Sequence, residues 1–195
     1  MTTAAAPQSA RRAELLELAY AYSVRHGRTD LSLRPMAAAI GSSPRVLLYL
    51  FGSKDGLIRE LLARARADEL SLLDELRRGG WPAGGGLREA GARTWSWLAA
   101  ETRWPLLRLW LDGYARSLSQ PDGAWAGFAQ ATVDDWLALL AEVQPADRRD
   151  TAAGLADRTV LLAVLRGALL DLLSTRDLTR TTAAVQRYLA AMDAG

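Results

Sequence analysis

The residues with most chemistry to offer lie in one short stretch, "SSPRVLLYLFGSKDGL", residues 42–57. Helical spacing puts Arg45, Val46 and Tyr49 on the side away from Leu47 and Leu50. A core helix of that length rarely leaves an arginine and a tyrosine exposed together, so this face is suited to recognition. Nine residues after Arg45 stands Lys54, the one lysine among 24 basic residues. It falls in the first turn of the next helix, where free N–H groups and the helix dipole favour an anion. A cation there costs a few tenths of a kcal/mol, roughly, and a bound phosphate reverses that sign.

Other chemistries lack their residues. There is no cysteine and one histidine, His26. Disulfides, thiolate metal sites, His-based zinc sites and His-dependent triads are therefore not expected. No nucleophile–base pair suggests catalysis, and nothing calls for a cofactor or a metal. Arg108, Asp112 and Arg116 fall four apart and read as a solvated ion-pair face. Arg166 and Asp171 interrupt the apolar run 160–173. Each needs a partner if buried, and they are expected to pair across a subunit seam or to face water.

The elements that must position these residues are helices. Half of the 195 residues are apolar, with Ala and Leu dominant and few segments suited to strands. We expect an all-α protein of about nine helices: three short, one long connecting helix over 54–78, then five more. The stops are explicit. Gly27, Gly41 and Gly52 end the first three helices; Ser32, Ser43 and Ser53 precede the next three. Pro44 takes the first helical position after Ser43. "GGWPAGGG", residues 79–86, is the clearest break. The N-terminus carries no apolar run behind its charges, and no apolar run reaches the length of a membrane span. The chain is expected to be cytoplasmic and off the membrane.

The net charge of +2 is uneven. Residues 1–54 hold seven basic against three acidic side chains, and the remainder is slightly acidic. A basic front end suits an anionic partner, and a solvated basic surface is the plainer alternative. Residues 33–52 also fit a helix-turn-helix, with Ala37 at the crossing, Gly41 at the turn, and Met36, Ile40, Leu47 and Leu50 as the apolar lock. An ordinary helical hairpin is the alternative. All seven tryptophans lie at or after residue 81. They serve either as core or as walls of an aromatic cavity.

"LSLRPMAAAIGSSPRVLLYLFGSKDGLIRELL" resembles the DNA-binding region of the TetR family of transcriptional regulators. The resemblance rests on Ser32, Met36, Ala37, Gly41, Ser43, Leu47, Tyr49, Phe51, Ser53, Lys54 and Leu57, and covers roughly residues 11–62. It implies a DNA-binding domain over 1–53 and an effector-binding and dimerisation domain over 54–195. A homodimer would place the helix near 44–50 in the major groove of a palindromic operator. Arg34, Ser43, Arg45, Val46, Tyr49 and Lys54 become the candidate DNA contacts. Arg45 would address a guanine, Val46 a thymine methyl, Tyr49 the backbone and Lys54 a phosphate. The family commonly has Tyr where this chain has Leu48, and often His where it has Leu50. Ser42 replaces a usual apolar residue, and its hydroxyl is expected to bond the local backbone. The resemblance also implies an apolar or aromatic effector held among Trp97, Trp104, Leu107, Trp110, Tyr114, Trp125, Phe128 and Trp136. The implied dimer seam uses Leu165, Ala168, Leu169, Leu172, Val185, Tyr188 and Leu189. The function so implied is a ligand-responsive repressor. The alternative is a helical small-molecule-binding protein, or an activator, with weakened DNA binding.

Overall fold

The computed structural model describes residues 5–27, 32–79 and 86–192. Among them all regular structure is helical: α1 (Ala5–His26), α2 (Leu33–Ala39), α3 (Pro44–Phe51), α4 (Lys54–Arg78), α5 (Gly86–Leu98), α6 (Trp104–Ser119), α7 (Phe128–Glu142), α8 (Ala146–Arg149), α9 (Ala152–Thr175) and α10 (Leu178–Ala191). One 3₁₀ turn, Glu101–Arg103, precedes α6. The expected turn at 28–31 and the core of the glycine-rich break, 80–85 with Trp81, lie outside the described residues.

The chain divides into two compact units, residues 1–70 with 105–129, and residues 71–104 with 130–195. The division expected after residue 53 follows role. Compactness follows packing: Leu57, Leu61 and Ala65 of α4 and Leu109 of α6 join one core with Leu15, Ala19, Met36, Ala37, Ile40, Leu47 and Phe51.

In the first unit, turn chemistry sets the helix ends. Gly41 has φ 64° and Gly52 has φ 77°, conformations that residues with a Cβ adopt at a cost. Ser43 Oγ accepts from Val46 N, and Ser53 Oγ accepts from Gly56 N at 2.9 Å, so both serines cap as expected. Ser32 occupies the cap position of α2 but makes no side-chain cap bond. Side chains then tie α1 to its neighbours. Arg12 donates to Glu60 at 2.7 Å and to the Leu50 carbonyl at 3.4 Å, with its guanidinium over the Phe51 ring. Tyr20 donates to Asp68 at 2.8 Å; burial and that carboxylate push its phenol pKa up.

In the second unit α5, α9 and α10 pack on one another. Gly91 makes the approach possible: a Cβ there would lie 2.7 Å from Leu189 and 2.9 Å from Leu161. Trp95 Nε1 donates to Thr182 at 3.1 Å. The expected helix count is corrected here. "QPADRRD" was read as a connector, yet it contains α8, the tenth helix. Arg149 of α8 donates to the Ala141 and Glu142 carbonyls, which end α7 and have no partners within that helix. Asp171 is part-exposed, the water-facing one of its two expected places, and its partner lies in the same chain. Arg180 holds it bidentately at 2.7 Å within the chain.

The apolar residues of 124–128 do not open a helix early: α7 starts at Phe128. Residues 120–127 instead form turns, closed by Gly123 N to Gln120 O and Ala126 N to Gly123 O. Gly127, at φ 73°, separates them from the helix.

Candidate nucleic-acid interface

α2 and α3 form the helix-turn-helix. Met36, Ala37, Ile40 and Leu47 are buried where the helices meet, and Leu50 is half-buried against the same core. The Ser42 amide donates to the Ala37 carbonyl at 2.8 Å across the turn. The Ser42 hydroxyl does not make the expected local bond: Oγ is buried with no hydrogen-bond partner among the described residues. An apolar side chain in its place would leave no such orphan.

α3 is locked inward by Leu47 and Phe51 and faces outward with Arg45, Val46, Leu48 and Tyr49. Tyr49 is 75% exposed, the most exposed large side chain of the protein's described apolar set. Helix geometry puts Arg45 and Tyr49 on the outermost line, about 40° apart. Arg34 of α2 and Lys54, first residue of α4, are also exposed. Ser43 has its oxygen engaged as the cap of α3, which fixes the helix start from which Arg45 projects. All six residues expected to meet DNA thus lie in the helix-turn-helix or at the start of α4.

The expected effector residues do not form one set. Trp110, Trp125 and Phe128 line a small pocket of the first unit with Ser23, Ile58, Leu61, Ala65 and Leu109. Trp125 stands edge-on to Phe128, centroids 6.0 Å apart, and Gly113 makes room for its ring. The space in the pocket holds about one water molecule. Leu107 is buried and Tyr114 half-buried in the same unit, but neither lines the pocket. Trp104 and Trp136 are buried in the second unit, where Trp97 lies under the Arg103 guanidinium at 4.2 Å. Sequence reasoning missed the pocket residues on α4. Ile58, Leu61 and Ala65 recur at helical spacing, a signal that marks an inward face without telling a wall from a core.

The expected seam residues are also placed differently. Leu165, Leu169, Leu172, Val185 and Leu189 are buried within the single chain, and Ala168 and Tyr188 are half-buried. Those five side chains have no surface left for a partner. The outer face of α9 carries Val160, Ala163, Gly167 and Leu170 instead, with Val160 and Leu170 about half exposed and open space at Gly167.

No helix among the described residues is long and apolar enough to cross a membrane, and no group of His, Cys, Asp or Glu among them could hold a metal ion.

No protein-family profile matches the chain. No curated protein matches it. Solved structures share its fold over nearly the whole length, among them the two that follow. One is a protein from Rhodococcus sp. assigned as a TetR-family transcriptional regulator: 18% identical, TM-score 0.68, covering 94% of this chain and 97% of its own. The other, assigned as a transcriptional regulator, is from Pseudomonas aeruginosa PAO1: 23% identical, TM-score 0.67, covering 96% of this chain and 92% of its own. The chain has the all-α fold of these regulators.

Proposed function

We propose that this protein is a DNA-binding transcriptional regulator of the TetR type, a cytoplasmic homodimeric repressor released from a palindromic operator by an apolar or aromatic small molecule. The observation that carries the reading is α3. An eight-residue helix is capped by Ser43, locked by Leu47 and Phe51, and left with Arg45 and Tyr49 outermost. Two such helices in a dimer read two half-sites. Lys54 supplies a phosphate contact that sets register.

Release needs a ligand that binds one state better than the other. The pocket walled by Trp110, Trp125 and Phe128 is the natural effector site, and it must open beyond its present room for one water. Its wall on α4 belongs to the helix whose Leu57 enters the helix-turn-helix core and whose Glu60 holds Arg12 against α3. Opening the pocket therefore strains the support of the reading helix. The dimer seam is assigned to the outer faces of α9 and α10, since the inner faces are spent.

The test is a gel shift of the full chain with its own upstream DNA and with random duplex, at several salt concentrations. Preference for the upstream DNA is expected; equal affinity for both across salt would sink the reading. A second reading, a helical ligand-binding protein or activator with weak DNA binding, draws on Leu48 standing where a polar contact is usual. It predicts that Arg45→Ala changes no nucleic-acid binding.

A further inference from the structure

The outward face of α3 is more apolar than a groove-reading helix needs for backbone contacts alone. Val46 and Leu48 are each 39% exposed, although both sit on a helix that packs its other face well. At about 100° per residue they flank the Arg45–Tyr49 line on opposite sides, each about 60° from its nearer member. The face therefore offers one guanidinium, one phenol and two aliphatic flanks. It holds no amide to pair with adenine and no carboxylate to accept from cytosine N4.

In the major groove the only apolar mark on a base pair is the thymine 5-methyl group. An aliphatic side chain pressed on any other edge strips water from a donor or acceptor without replacing its hydrogen bond. Resting on the proposed DNA-binding function, we infer that Val46 and Leu48 both read thymine methyl groups, one on each side of the base pair addressed by Arg45. Leu48 is then a specificity-determining residue in its own right and not a missing polar contact. The half-site is a guanine held between A·T pairs whose thymines present their methyls to the two flanks.

The experiment uses the full chain and a duplex selected from a random library. Each thymine of the half-site is replaced in turn by uracil, which keeps base pairing and removes only the methyl. Two positions are expected to lose affinity about fourfold each, the effect of one buried methyl group. Val46→Ala should abolish the loss at one position and Leu48→Ala at the other. Both variants alter exposed side chains, and a thermal melt confirms that they fold. A preferred duplex that binds equally well with uracil throughout overturns the inference and leaves the DNA-binding function standing. So does uracil sensitivity that survives in both variants. If no duplex is preferred over random DNA, the proposed function fails and this inference fails with it.

Discussion

A planar guanidinium and a point-charge ammonium are not interchangeable, and Arg45 and Lys54 stand where the difference can be measured. Arg45 projects from the outer line of α3, while Lys54 opens α4 beside the Ser53 cap. Arg45→Ala should cost about 1–3 kcal/mol on the preferred duplex and relax selection at one base pair. Lys54→Ala should weaken every duplex alike and lower the salt slope by about one. A Lys54→Ala variant with altered sequence preference and an unchanged slope would refute the phosphate role. Ser42 makes a separate case. Its buried hydroxyl makes no hydrogen bond, so Ser42→Ala should raise stability by about 1 kcal/mol, read as a higher urea midpoint. Loss of stability would mean that the hydroxyl has a partner after all.

At the scale of elements, legibility followed punctuation. Ser43, Pro44, Gly52 and Ser53 fixed both ends of α3 because each has one strong local preference. The start of α7 was not legible, since the apolar pattern of 124–128 runs on through turns that only backbone geometry reveals. The burial of the expected seam residues within the chain was not legible for a different reason. α9 carries apolar residues all round, so periodicity cannot say which face meets α5 and α10 and which stays free. The pocket is a product of tertiary packing among α1, α4, α6, the turn before α7 and the first residue of α7, and no local signal announces it.

Two tests belong at this scale. Gly91→Val should destabilise by about 2 kcal/mol through overpacking against Leu161 and Leu189. The second concerns Asp171, whose carboxyl is held below its ordinary 3.8 by Arg180. A lowered folded pKa gives stability that is complete above the unfolded pKa and lost as pH falls through the folded one. The urea midpoint difference between wild type and Asp171→Asn should be constant above about pH 5 and shrink toward pH 2. A difference that grew with acidity would contradict the ion pair.

For the whole molecule, the second unit has the inner faces of α5, α9 and α10 already filled. The proposed dimer has only the outer faces left to form on. Gly167→Arg, placed where a Cβ meets open space within the chain, should leave the protomer folded and shift sedimentation from dimer to monomer. A Gly167→Arg protein that still sediments as a dimer would move the seam elsewhere. The proposed function stands on this fold reading DNA sequence. Its most direct test is a fluorescence-anisotropy titration of the full chain against its selected palindrome and a scrambled duplex of equal length, repeated between about 50 and 200 mM salt. The account predicts tighter binding to the palindrome by about 10³-fold or more, with that ratio persisting as salt weakens both. Equal affinities with parallel salt dependence would contradict it.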